Sequence, residues 1–205
     1  MVQLRLLCLH GFLQNAATFK ARTNALRQVL RKVADLDFID APHVIPPTDE
    51  TGHGEGAKEH INRAWWRLDE ATNTYVGWRE SVITIAEAMR KQRYDGLIGF
   101  SQGGCFAGIM AALCTCYVFS LNLSQCVMII GGFEPRDRDL LDLLQPLSPI
   151  ACPALHVIGE ADAMVVPSRS EALTKRFTPS SSPIVRHPGG HFVPTNSPFG
   201  GKYVE

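Results

Sequence analysis

A chain of 205 residues with 45% hydrophobic content can bury one sizeable core and is too short for two domains of ordinary size. Its 20 Lys and Arg balance its 20 Asp and Glu, so no net field recruits nucleic acid or an anionic membrane, and the partner expected is a small molecule. The six cysteines lack regular spacing; with no signal-peptide pattern in view, they read as buried thiols of a reducing compartment such as the cytoplasm.

Residues 2–9 form a short run rich in Leu and Val that fits an interior parallel strand, ending in the turn His10-Gly11-Phe12. Phe19, Leu26, Val29, Leu30 and Val33 recur at helical spacing between basic residues, predicting a helix over 15–34, and a second strand follows at 36–39. From 42 to 62 the pattern dissolves into Pro46-Pro47, three glycines and mixed charge, the composition of a mobile loop or a lid. His53, Glu55, Glu59 and His60 fall there but match no metal-ligand spacing, so no metal is expected.

Trp65-Trp66 precedes a predicted helix over 75–93. Adjacent tryptophans on a strand point opposite ways, so one can pack in the core, the default for each, while its neighbour lines a pocket or packs a loop. Residues 94–100 read as the third strand. A buried helix over 102–116 comes next; the apolar stretch 106–123 is interrupted by Gly108, Thr115, Ser120 and Asn122, and we read it as core rather than a membrane span. A fourth strand at 125–130 ends in Gly131-Gly132-Phe133, and 134–147 patterns as a short amphipathic helix. The fifth strand, 154–158, leads through Gly159-Glu160-Ala161-Asp162 to a helix near Ser168, where Ser168 and Glu171 have capping-box spacing. The sixth, 184–187, leads into Gly189-Gly190-His191-Phe192. Strands alternating with helices imply one α/β domain over 1–205, with a mostly parallel sheet of about six strands, helices on both faces, and functional loops at the strand C-terminal ends.

The most informative stretch is Leu97-Ile98-Gly99-Phe100-Ser101-Gln102-Gly103-Gly104, an apolar strand running into a G-x-S-x-G turn and a helix. Small flanking residues permit the strained turn that lifts a serine hydroxyl above a sheet, and the free N–H groups of the next helix face any oxyanion forming beside it. A nucleophilic serine needs a base, and the base needs an orienting carboxylate. Asp162 and His191 each fall just past a predicted strand, in the chain order Ser, Asp, His. His187 beside Pro188, His156 in mid-strand and Glu160 are the rivals. The backbone N–H groups of Phe12 and Gln102 are candidate oxyanion donors. Phe12, Trp65, Trp66, Phe133 and Phe192 lie near the same loops, so Trp65, Trp66, Phe133 and Phe192 are expected to line an apolar substrate pocket.

Leu9-His10-Gly11-Phe12, Arg63-Ala64-Trp65-Trp66, DGLIGFSQG at 95–103, GEADAMV at 159–165 and HPGGHFVP at 187–194 together resemble the FSH family of small serine hydrolases, nearly over the whole chain. The resemblance implies an α/β-hydrolase fold, with Ser101, Asp162 and His191 as triad and carboxylic esters as substrates. GFSQGG at 99–104 also looks like the nucleophile turn of acyl-protein thioesterases. The expectation is a cofactor-independent serine esterase acting on an apolar acyl chain, with a thioesterase as the alternative and a non-catalytic binding protein on the same scaffold as the contrasting class.

Overall fold

The computed structural model describes residues 3–46, 61–115 and 126–194. In chain order its elements are β1 (Leu4–Leu9), α1 (Ala16–Arg22), α2 (Asn24–Leu30), β2 (Ala34–Ile39), β3 (His43–Ile45), β4 (Asn62–Ala64), β5 (Arg67–Asp69) and β6 (Thr74–Val76). They continue with α3 (Trp78–Lys91), β7 (Gly96–Phe100), α4 (Gln102–Thr115), β8 (Cys126–Ile130), α5 (Arg138–Leu144), β9 (Ala154–Gly159), α6 (Pro167–Thr174) and β10 (Ile184–His187).

Six strands form one sheet in the order β10-β9-β8-β7-β1-β2, and every neighbouring pair is parallel. The period-2 alternation of strand side chains divides the core in two. Leu7, Leu9, Leu97, Val127 and Ile129 face α3, α4 and α6, whereas Leu6, Cys8, Ile98, Phe100, Met128 and Ile130 pack with Phe19, Leu26 and Leu30 of α1 and α2. Helix α4 is buried from Gln102 to Leu113, which explains its lack of a polar face. Among the described residues no helix is long and apolar enough to cross a membrane. The metal ligands considered at His53, Glu55, Glu59 and His60 lie outside the described residues.

Local chemistry redraws several expected boundaries. The helix expected over 15–34 is two helices, because the Thr23 hydroxyl donates to the Phe19 carbonyl at 2.7 Å while the Thr23 backbone leaves the helical well at φ −99°, ψ 18°. Tyr75 belongs to β6 rather than to the next helix, which starts after Gly77 at φ 90°. The capping box of Ser168 and Glu171 does not form: α6 begins with Pro167 at its first position, and Glu171 instead accepts from Arg186 at 2.7 Å. Residues 43–45 and 62–64 pair as an antiparallel ribbon, so part of the irregular 42–62 stretch is ordered by strand pairing.

The strand order places the site. From β1 the chain moves out to the edge strand β2 and then returns to β7 on the other side of β1. At such a reversal the connections leave in opposite directions and open a crevice at the strand C-terminal ends. The turns at Gly11 and Ser101 border that crevice.

His156 is buried in β9, edge-on to Phe177, and its Nε2 has no hydrogen-bond partner among the described residues. Burial lowers its pKa to about 4. The unfolded chain therefore takes up this proton first as pH falls below about 6.5, and stability is lost between there and pH 4. Denaturant unfolding at pH 7 and pH 5 should show an acid loss to which His156 contributes about 2 kcal/mol, a share absent in His156→Leu.

Candidate active site

Ser101 sits between β7 and α4 at φ +56°, a left-handed conformation costing a residue with a Cβ about 1–2 kcal/mol. Two backbone hydrogen bonds hold it there: its N–H donates to the Ile130 carbonyl at 2.9 Å, and its carbonyl accepts from Cys105 N–H at 3.0 Å. The flanking glycines are needed for close approach. A Cβ on Gly99 would strike the Gly103 carbonyl, and one on Gly103 would strike the carbonyls of Leu9 and His10. The end of β1 thereby lies directly against the start of α4.

That contact brings the Gly11-Phe12 turn beside the serine; a Cβ built on Gly11 would lie 3.4 Å from that of Ser101. His10 fixes the turn. Its Nε2 accepts from Ala41 N–H at 3.0 Å, so Nδ1 carries the proton and donates to the Gly11 carbonyl at 2.8 Å. In a trans peptide the C=O and N–H point in opposite directions, so anchoring the Gly11 carbonyl sets the direction of the Phe12 N–H. No acceptor among the described residues takes the Phe12 or Gln102 N–H.

Trp65 joins the two turns. Its indole N–H donates to the His10 carbonyl at 2.8 Å, its backbone N–H donates to Gln102 Oε1 at 2.8 Å, and Gln102 Nε2 donates to the Trp66 carbonyl at 3.0 Å. Trp65 is fully buried, and Trp66, at 4% exposure, stacks on Tyr75 with ring centroids 4.5 Å apart. Phe133 is buried edge-on to Trp66 beneath the Arg169 guanidinium. The structure thus puts three of the four expected pocket residues, Trp65, Trp66 and Phe133, into the core, where Tyr75 and Phe106 pack around them.

Asp162 and His191 meet above β8 and β9. One carboxylate oxygen of Asp162 accepts from Met164 and Val165 N–H at 2.9 and 2.8 Å, and the other lies 2.6 Å from His191 Nδ1. An ionised carboxylate only accepts, so Nδ1 bears the proton and Nε2 carries the lone pair. The imidazole lies over Phe100, centroids 4.8 Å apart, and against Gly131, where a Cβ would come within 3.1 Å of His191 Cε1. The rival His187 is buried in β10 under Phe192, and His156 is buried against Phe177.

Ser101 and His191 line one cavity of about 440 Å³, with Gly11, Phe12, Leu13, Phe19, Phe100, Met164 and Phe192 among its walls. Phe192 is the expected pocket residue that lies there. Met164 and Leu13 were not anticipated; Met164 sits inside the Asp162 turn and is 75% exposed. A mobile apolar side chain two residues from the acid is the signal that sequence reading could have used.

A parallel sheet with a strained serine after β7 and an Asp-His pair after β9 and β10 has the architecture of an α/β-hydrolase. The family model for Serine hydrolase (FSH1) matches residues 1–203. Esterase OVCA2 of Homo sapiens is 32% identical over 218 residues, spanning 98% of this chain and 94% of that protein. Esterase AAEL000016 of Aedes aegypti is 32% identical over 211 residues, spanning 99% of this chain and 74% of that protein. Among solved structures, SOBER1 of Arabidopsis thaliana matches with TM-score 0.66 at 17% identity over 99% of this chain and 96% of that one. Zea mays acyl-protein thioesterase 2 matches with TM-score 0.64 at 20% identity over 98% and 90%. At these identities the structural likeness is one of fold. The chain belongs to the FSH1 serine hydrolase family and is an enzyme of the esterase type.

Gly131 has φ +54°, so a side chain there is strained as well as crowded. Gly131→Ala should displace the His191 ring and lower kcat for ester hydrolysis by about 10–100-fold with the fold retained, read from steady-state kinetics beside a thermal melt.

Proposed function

We propose that this enzyme hydrolyses carboxylic esters with an apolar acyl portion through an acyl-enzyme on Ser101. His191 Nε2 takes the hydroxyl proton as Oγ attacks the carbonyl carbon, and the imidazolium then passes that proton to the departing alcohol. Water, deprotonated by the same imidazole, attacks the acyl-enzyme, the acid leaves and Ser101 regains its proton. Asp162 holds His191 in the tautomer that this cycle requires. The Phe12 and Gln102 N–H groups receive the oxyanion; losing one such donor costs about 10²–10³ in rate.

The observation that carries this reading is the 2.6 Å contact between Asp162 and His191 Nδ1, in a cavity that also holds a serine at φ +56°. A binding protein needs neither a committed imidazole tautomer nor a strained serine. The apolar acyl portion is argued from the walls, in which Phe12, Leu13, Phe100, Met164 and Phe192 predominate. A thioester substrate is the second reading, favoured by the fold likeness to a protein titled acyl-protein thioesterase; the chemistry is unchanged and the leaving group is a thiol. The chain carries no sequence pattern for a cofactor, and none enters this cycle.

A fluorophosphonate probe reports serine activation without prior choice of substrate. Wild type should label at Ser101, and Ser101→Ala and His191→Ala should not. Asp162→Asn should slow labelling and turnover by up to about 10⁴, because the amide can donate to Nδ1 and stabilise the wrong tautomer. Labelling that persists in Ser101→Ala would place the nucleophile elsewhere. Matched oxygen esters and thioesters of one acid then separate the two leaving groups by kcat/KM.

A further inference from the structure

The cavity beside Ser101 contains a permanently charged group that ester cleavage does not use. Phe100, Phe19 and Arg22 all line it. The Phe100 and Phe19 rings stack with centroids 6.1 Å apart, and Arg22 lies three residues beyond Phe19 on α1, on the same helix face. The cavity wall thus holds the nucleophile, the exposed apolar side chains of Phe12, Leu13 and Phe192, and an exposed Arg22.

The Arg22 side chain has no ion pair or hydrogen bond among the described residues, which is also true of Arg27, Arg67, Arg90 and Arg93, but of these only Arg22 lines the cavity that holds Ser101. No Asp or Glu lines the cavity. With no net charge on the chain, any attraction for an anion at this wall comes from the local guanidinium and not from an overall field. A planar guanidinium with its donors uncommitted matches a carboxylate or phosphate in bidentate geometry.

Resting on the ester-hydrolase reading above, we propose that the substrate carries an anionic group, carboxylate or phosphate, separated from the scissile carbonyl by an apolar segment, and that Arg22 receives it. Phe12, Leu13 and Phe192, the exposed apolar side chains of the cavity, contact the apolar segment while Arg22 selects its charged end. Because the guanidinium is remote from the reacting atoms, it binds ground state and transition state alike, so its effect lies in KM more than in kcat.

The test compares four substrates: p-nitrophenyl octanoate against the mono-p-nitrophenyl ester of suberic acid, and S-octanoyl pantetheine against its 4′-phosphate. The first pair places the anion on the acyl side and the second on the leaving group. In wild type the anionic member of one pair should have kcat/KM about five- to tenfold higher, through KM, with the advantage shrinking as salt is raised. In Arg22→Gln the ratio should fall to about one, in Arg22→Glu it should invert, and Arg22→Lys should keep part of it. Serine labelling of each variant shows that the site is intact. Equal rates within both wild-type pairs, or a preference that survives in Arg22→Glu, would overturn the proposal. Absence of both labelling and hydrolysis in wild type would instead remove the ester-hydrolase reading, and this inference with it.

Discussion

The site depends on how closely two segments of backbone approach, the end of β1 and the beginning of α4. Gly103 lies against the Leu9 and His10 carbonyls, and Gly99 against the Gly103 carbonyl. Helix α4 can therefore start directly on the sheet, without the spacing that side chains would impose. Ser101 inherits its left-handed conformation from this geometry. Its strain is offset by the two hydrogen bonds that tie it to β8 and α4 and by a helix buried along its whole described face. A functional turn of this kind persists only where the surroundings over-determine it.

The same approach explains why Trp65 matters without touching the cavity. It hydrogen-bonds to the His10 carbonyl on one turn and to the Gln102 side chain on the other, and the Trp65 carbonyl accepts from Ser81 Oγ at 2.6 Å. A buried network with every member satisfied is rigid, because breaking one bond strands a polar group in a low-dielectric interior. The Phe12 and Gln102 N–H groups are thus held relative to each other by core contacts rather than by loop contacts. On the other side of the cavity, Asp162 spends one oxygen on its own turn and the other on His191. The imidazole rests on Phe100 and on a glycine that offers no side chain.

Periodicity and glycine placement made most of the fold legible, since the six strands of the sheet and the three turns holding Ser101, Asp162 and His191 all carry local signals. What was not legible depended on tertiary choice. Thr23 splits one periodic stretch into two helices through a hydroxyl-to-carbonyl bond, although its position disturbs no apolar pattern. Glu171 meets Arg186 across α6 and β10 instead of capping its own helix, and no sequence spacing reports a partner 15 residues away. Adjacent aromatics at Trp65-Trp66 were compatible with a pocket or a core; Tyr75, Phe106 and Phe133 decide it by packing around them. The role of Gly131 as the floor beneath His191 requires knowing that β8 ends under the β10 loop, a relation set by strand order alone.

These constraints divide the site into a fixed part and an adaptable part. The His10 tautomer and the two turns share the Trp65 bonds on one side of the cavity, and Asp162 ties its own turn to His191 on the other, so a substitution within either set disturbs its neighbours in that set. Phe12, Met164, Phe192 and Arg22 are exposed at the cavity, and although the backbone N–H of Met164 bonds to Asp162, the side chains of these four make none of those bonds. Substitution at these four positions changes the shape and charge offered to a ligand while the reacting atoms keep their places. Specificity on this scaffold can therefore vary independently of the machinery, because a fold does not dictate the side chains at its cavity rim.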